Sequence, residues 1–265
     1  MKRMITVLTV LIALAGGAAS PAVAAEVMDI IKKANHMAYY QGKDGRARVA
    51  MAITDAQGRA REREFVILRR DDDGEEDAGQ KFYVYFNKPA DVKKTVFMVH
   101  KNLDRDDDRW LYLPALDLVK RIAASDERTS FVGSHFFYED VSGRGIYEDT
   151  HELVEENDAV YVIKSTPKDP AAVEFAYYIN WIHKKTFLPV KTLYYDSEGK
   201  LYRTYSALKV NPVDGHPTVT RAQMEDHRSG GKTVMEYTDV NYDTDLPEDI
   251  FSERYLRKPP RKYLR

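Results

Sequence analysis

The stretch Ala47-Arg48-Val49-Ala50-Met51-Ala52-Ile53-Thr54-Asp55-Ala56-Gln57-Gly58, continued by Arg59 to Arg70, decides the fold. Ala47, Val49, Met51 and Ile53 take every second place, the period of a strand with one buried face rather than of a helix. Asp55-Ala56-Gln57-Gly58 breaks the alternation with residues that reverse a chain, and Arg59 to Arg70 reads as the returning strand. The segment is an antiparallel hairpin. Upstream the period is different. Val27, Ile30, Ile31 and Ala34 follow the i, i+3, i+4, i+7 spacing of an amphipathic helix, with Lys32 and Lys33 on its other side and Gly42 and Gly45 ending it.

Downstream the two-residue period persists. Phe82, Val84 and Phe86 alternate with Tyr83 and Tyr85 until Pro89, and Thr95 to His100 and Arg109 to Leu113 flank the acidic turn Asp104 to Asp108. A second set of strands reads Glu148 to Glu155, Ala159 to Ser165, Phe175 to His183, Pro189 to Tyr195, Lys200 to Val210, Thr218 to Asp226 and Lys232 to Tyr242. Turns carrying Gly, Asn, Asp or Pro separate them, and Asp245 to Phe251 is predicted as one helical turn. Between the two sets, Pro114 to about Arg144 shows little alternation but holds Phe131, Phe136, Phe137 and Tyr138. It reads as a long connection with short helical turns, and such connections inside compact domains are usually functional. The total is about eleven or twelve strands, with no helices alternating between them, which excludes doubly wound and barrel α/β designs. The expected class is mainly β (α+β): one large antiparallel sheet that twists, curls into an incomplete barrel and is covered by short helices.

The chain also carries an address. Lys2 and Arg3 precede the apolar run Ile5 to Ala15, and Ala22-Val23-Ala24 offers a small-x-small cleavage site, the layout of a secretory signal over residues 1–24. The expected organisation is that leader, one domain over 25–256 and a basic tail over 257–265, in the periplasm. No later apolar run reaches the roughly 20 residues of a membrane helix. A net charge of −2 without a basic stripe gives no reason to expect nucleic acid. The tail is expected as a disordered, solubilising end, with weak, transient attraction to the anionic lipid head groups of a membrane as the alternative.

Catalytic motifs are scarce. With no cysteine, thiol catalysis and thiolate metal sites are excluded. His151-Glu152 begins an HExxH-like pattern that fails at Glu155, and the seven histidines lack ligand spacing. Asp71-Asp72-Asp73 and Asp106-Asp107-Asp108 lack the alternation of a calcium loop. No catalytic residue, metal or cofactor is therefore assigned. The one acid–base cluster is His135 with Glu139 and Asp140, which keeps a hydrolase or lyase as an alternative.

A longer pattern remains: Asp108-Arg109-Trp110-Leu111-Tyr112-Leu113-Pro114, then Lys120-Arg121-Ile122, Ser130-Phe131-Val132-Gly133-Ser134-His135-Phe136 and Tyr138-Glu139-Asp140, with Pro189-Val190-Lys191 further on. It resembles the outer-membrane lipoprotein-sorting proteins, relatives of the periplasmic carriers LolA and LolB, over about Val27 to Phe251. The resemblance implies a half-barrel over an apolar cavity, no enzymatic activity, a lipid or lipoprotein acyl chain as ligand, and an RND-type exporter as partner. It departs at His135, where an acid is expected. The expected cavity wall is Val49, Met51, Ile53, Phe82, Val84, Phe86, Phe97, Val99, Trp110 and Tyr112, and the expected lid is Ile30, Ile31, Phe131 and Phe136. Arg121 is expected to pair with Glu139 or Asp140. A ligand-free adaptor docking on a transporter is the other alternative.

Overall fold

A computed structural model describes residues 21–72, 79–102 and 105–265. The charged start and apolar run of the expected export leader lie outside the described residues, as do Asp73 and Asp104. The first half of the sheet comprises β1 (Asp44–Thr54), β2 (Ala60–Arg70), β3 (Lys81–Lys88), β4 (Val96–His100), β5 (Asp108–Leu113) and β6 (Leu118–Ile122). The second comprises β7 (Asp149–Glu156), β8 (Val160–Pro167), β9 (Tyr177–His183), β10 (Pro189–Tyr195), β11 (Leu201–Val213), β12 (His216–Asp226) and β13 (Gly231–Tyr242). All 13 form one antiparallel sheet, in the order β6-β5-β4-β3-β2-β1-β13-β12-β11-β10-β9-β8-β7. Each half is a meander, and the β1–β13 pair welds them, with Met51 opposite Met235 and Val49 opposite Tyr237.

The deciding hairpin forms as its turn chemistry requires. Asp55 accepts hydrogen bonds from the backbone N–H of Gln57 at 3.0 Å and Arg59 at 2.9 Å. Gly58 supplies the positive φ of +78° that closes the reversal. Strand β6 is the element that the sequence reading missed, as part of the long middle connection. It is a short free edge on which only Ile122 is buried, so its residues never show a two-residue alternation.

The edges β6 and β7 do not pair, and the chain crosses from one to the other through residues 123–148. This connector touches strands across the sheet: Phe131 packs on Phe65, Phe86 and Phe97, His135 bonds Thr233, and Arg144 pairs with Asp149. One short segment reaches β2, β4, β13 and β7 only if the sheet wraps around it. The helix α1 (Pro21–Asn35) covers the other part of the concave face, laying Val27, Ile30, Ile31 and Ala34 against Ile163 and Ile182. It runs into a wide turn at His36–Tyr40, and Gly42 then takes a φ of +69°. Gly45 already belongs to β1. Among the described residues no helix is long and apolar enough to cross a membrane.

Two expectations fail on the convex face. Trp110 and Tyr112 lie there, beside Met98, Val96 and Tyr83, while their neighbours Arg109 and Leu111 point inward. A slip of one residue exchanges the faces of a strand, and Trp110 packs outside, its ring centre 4.9 Å from that of His100. The basic tail is also ordered rather than loose. Leu246, Ile250, Phe251, Leu256 and Leu264 cover the convex face, with α3 (Arg254–Arg257) among them, and Arg46 Nε donates to the Tyr263 carbonyl at 2.9 Å. Leu264→Ala should lower stability by about 2 kcal/mol, because it removes a buried side chain from this second core. A shift in urea midpoint at unchanged m-value would register it; no shift would mean the tail contributes nothing.

Candidate functional site

The connector builds its inner surface from a tight reversal. Ser130 bridges Phe137 and Phe131 N–H donates to the Phe136 carbonyl at 2.8 Å, so Phe131 and Phe136 both turn inward. Val132 holds a left-handed φ of +48°, a strained conformation for a β-branched residue, and Gly133 follows at +79°. The helix α2 (Tyr138–Ser142) comes next, its first turn closed by Asp140, which accepts from Phe137 N–H at 2.6 Å. Tyr40 Oη donates to the Ser142 carbonyl at 3.1 Å and ties the connector to the turn after α1.

Between these covers and the sheet lies a chamber of about 340 Å³. Its roof is Ile31, Ala34 and Met37 from α1 and its turn, with Phe131 and Phe136 from the connector. Its floor is the inward side of β9 to β13: Tyr178, Tyr194, Tyr205, Met224, Met235 and Tyr237. Phe65, Ile67 and Phe82 close the side toward β2 and β3. Burial pushes the Tyr237 hydroxyl up to about 12 and holds Tyr194 and Tyr205 higher still, so these rings stay neutral. The surface they offer is apolar with a few hydroxyls, suited to a greasy molecule that also carries polar atoms.

The expected wall is therefore only partly at the chamber. Val49, Met51, Ile53, Val84, Phe86, Phe97 and Val99 face the concave side but are packed dry against the connector, each at most 2% exposed. Phe82 alone of the ten lines the open space, and Ile31, Phe131 and Phe136 roof it, while Ile30 packs on the sheet. The tyrosines and methionines of β9 to β13 were missed. The two-residue spacing of Ala222 and Met224, or Met235 and Tyr237, was the available signal, but tyrosine alternates as readily on a wet face as on a buried one.

A chain of buried ion pairs anchors the connector. Arg128 pairs with Glu139 and, at 2.6 Å, with Glu174; Arg144 reaches Glu139 at 3.0 Å and Asp149 at 3.1 Å; Arg203 pairs with Asp140. Burial opposes charge on Glu174, yet Arg128 and Tyr202 hold its carboxyl down to about 2. His135 meets Thr233 Oγ1 through Nδ1 at 2.8 Å, and burial draws its pKa down. The three members of the candidate acid–base cluster are thus each held by a different structural partner. Arg121 does not join them: it pairs with Asp108 and lies 5.1 Å over the Trp110 ring, because β6 places it opposite Trp110.

Glu127, Glu139 and Glu148 bring carboxylate oxygens within 4.8 Å of one another. Burial, with Glu139 and Glu148 nearby and Arg109 offsetting them in part, pushes Glu127 up to about 7 from its ordinary 4.5. Folded Glu127 then keeps its proton to higher pH than unfolded Glu127, so its contribution to stability falls as pH rises from about 4.5 to 7. Glu127→Gln should flatten that part of the stability profile in urea titrations between pH 4 and 8. Parallel profiles for the two proteins would show that Glu127 is not the titrating group.

Comparison with known proteins places this architecture. A family model that describes an uncharacterized protein matches residues 78–258. A DUF1329 family protein from Desulfovibrio piger superposes with a TM-score of 0.80 at 26% identity, over 88% of this chain and 99% of that one. A protein domain named for outer membrane lipoprotein sorting, from Vibrio parahaemolyticus, gives a TM-score of 0.80 at 27% identity, over 89% of this chain and 100% of that one. A LolA superfamily protein from Nitrosomonas europaea gives 0.66 at 21% identity, over 86% of this chain and 98% of that one, a likeness of fold. No curated protein matches the sequence. The resemblance to the lipoprotein-sorting proteins and the open half-barrel expected from it both hold.

Proposed function

The chain belongs to the DUF1329 family, and from that premise we propose that it is a periplasmic carrier that holds one lipid or lipoprotein acyl chain without chemically altering it. The observation that carries this reading is the chamber, about 340 Å³ of apolar and tyrosine-lined space that the protein's own side chains leave empty. Its size stands at the small end of ligand pockets, roughly 300–1,000 Å³, and fits a single chain better than two. Each methylene kept from water is worth about 0.8 kcal/mol, much as it is in a bilayer, so the chamber offsets the cost of carrying an acyl chain through an aqueous compartment. The sorting domain similar to this chain supports the same cargo class. The export signal over residues 1–24 supports the compartment, and an RND-type exporter is the partner that the resemblance implies.

Native mass spectrometry of protein purified from the periplasm, followed by solvent extraction, tests the proposal. One lipid per chain, released by organic solvent, is the expected result. Protein that is empty as purified and that takes up no acyl chain from vesicles would overturn it and leave the ligand-free adaptor.

A further inference from the structure

One wall of the chamber carries a charge that the fold does not answer. Arg69 lies on β2 opposite Gly45 of β1, on the concave side with Ile67 and Phe65. Gly45 leaves it the lane: a Cβ there would stand 3.3 Å from Nη2 and 3.4 Å from the Asn241 carbonyl. Nη2 donates to the Gln41 carbonyl, and the Tyr242 ring lies 5.9 Å from the guanidinium carbon. Nη1 is buried and has no hydrogen-bond partner among the described residues. Asp44 is spent elsewhere, accepting from Thr244 N–H at 2.8 Å, Thr244 Oγ1 at 2.7 Å and Leu246 N–H at 2.9 Å.

The contrast with the arginines that anchor the connector is chemical. Arg128, Arg144 and Arg203 each meet carboxylates, and their pKa values are raised. Among the described residues Arg69 meets a carbonyl and a ring but no carboxylate at ion-pair distance, and burial draws its pKa down despite Tyr242, Asp71, Tyr40 and Asp44 in the neighbourhood. A buried cation left in that state costs free energy unless an anion completes it. A second unmet group belongs to the same wall. Gln41 Nε2 donates to the carbonyls of Met37 at 2.7 Å and Pro217 at 2.8 Å, which fixes its amide orientation and leaves Oε1 buried without a donor. Among the described residues this wall thus holds one unanswered donor, on Arg69, and one unanswered acceptor, on Gln41, which suits the polar end of an amphiphile.

We propose that Arg69 is an anion-reading subsite of the chamber, which takes the carboxylate or phosphate oxygen of an amphiphile whose chain lies among the tyrosines and methionines of the floor. This deepens the carrier reading and rests on it. Guanidinium to oxyanion bonds are among the stronger hydrogen bonds, so the head group should dominate selectivity.

The test uses delipidated full-length protein and three probes of equal chain length: laurate, dodecyl phosphate and dodecanol. Each displaces a fluorescent fatty acid. Wild type should hold one or both anions about tenfold or more tighter than dodecanol. Arg69→Gln should weaken the anions to the level of the alcohol and leave the alcohol unchanged, while Arg69→Lys keeps a preference for anions. The order of laurate and dodecyl phosphate assigns the head group. Equal binding of all three probes by wild type, or an Arg69→Gln variant with the wild-type ranking, would overturn the subsite and leave the carrier standing. Failure of every probe to bind wild type would overturn both. Should Arg69→Gln not fold, the wild-type ranking decides alone.

Discussion

Phe131→Ala is expected to destabilise the protein by about 3–5 kcal/mol, as truncation of a fully buried phenylalanine does. Phe131 is 0% exposed, and its ring centre lies 6.0 Å from Phe65, 5.7 Å from Phe86, 5.6 Å from Phe97 and 5.6 Å from Tyr138. Those rings belong to three strands and to α2, so one side chain fastens the connector to the sheet. The site cannot collapse easily, because the strands on its far side are already held by the sheet and by the second core. Phe131→Leu, which keeps most of the volume, should cost far less. The same ring roofs the chamber, so the alanine variant should also release a bound acyl chain faster than wild type does. Urea unfolding and stopped-flow release measure the two effects separately. A Phe131→Ala protein with wild-type stability would refute the anchoring role, and unchanged release at lowered stability would refute the roof.

Most of the sheet was legible because one physical rule governs it: a strand buried on one face repeats every second residue. That rule located twelve strands to within a few residues and put β1, β3 and β4 the right way round. It failed where burial on one face failed. β6 is a wet edge, and β5 is apolar at Trp110 on the outer face but charged at Arg109 on the inner one, where Asp107 pairs with it at 2.7 Å. No pattern of hydrophobicity can reveal that a buried arginine belongs inside until its partners are known. The chamber was misplaced for a related reason. The sequence shows which residues leave water but not which of them find a neighbour, and the connector happens to fill the space over β2 to β4 and to leave the space over β9 to β13. Likewise the tail read as loose by its composition, since Leu264 and Tyr263 are isolated among basic residues and gain their weight only from the convex core.

Removing one partner of the Arg203–Asp140 pair should cost about as much as the phenylalanine, roughly 3–5 kcal/mol. Arg203 is 1% exposed and comes from β11, while Asp140 comes from α2, so the pair spans chamber and connector. Its guanidinium also donates to the His135 carbonyl at 3.1 Å and lies 3.8 Å over the Phe137 ring. Arg203→Ala strands a largely covered carboxylate that has already committed one oxygen to the Phe137 N–H, and Asp140→Ala strands a buried cation. The two losses share one interaction, so the double variant should be much less damaged than the sum of the singles, by a coupling of a few kcal/mol. Arg203→Lys should recover only part of the loss, because an ammonium cannot span both carboxylate oxygens while lying flat on a ring. Chemical denaturation of the four proteins measures the coupling directly. Additive losses, or full recovery by lysine, would mean that the pair is not what holds the connector down, and the case for a stably roofed chamber would have to rest on Phe131 alone.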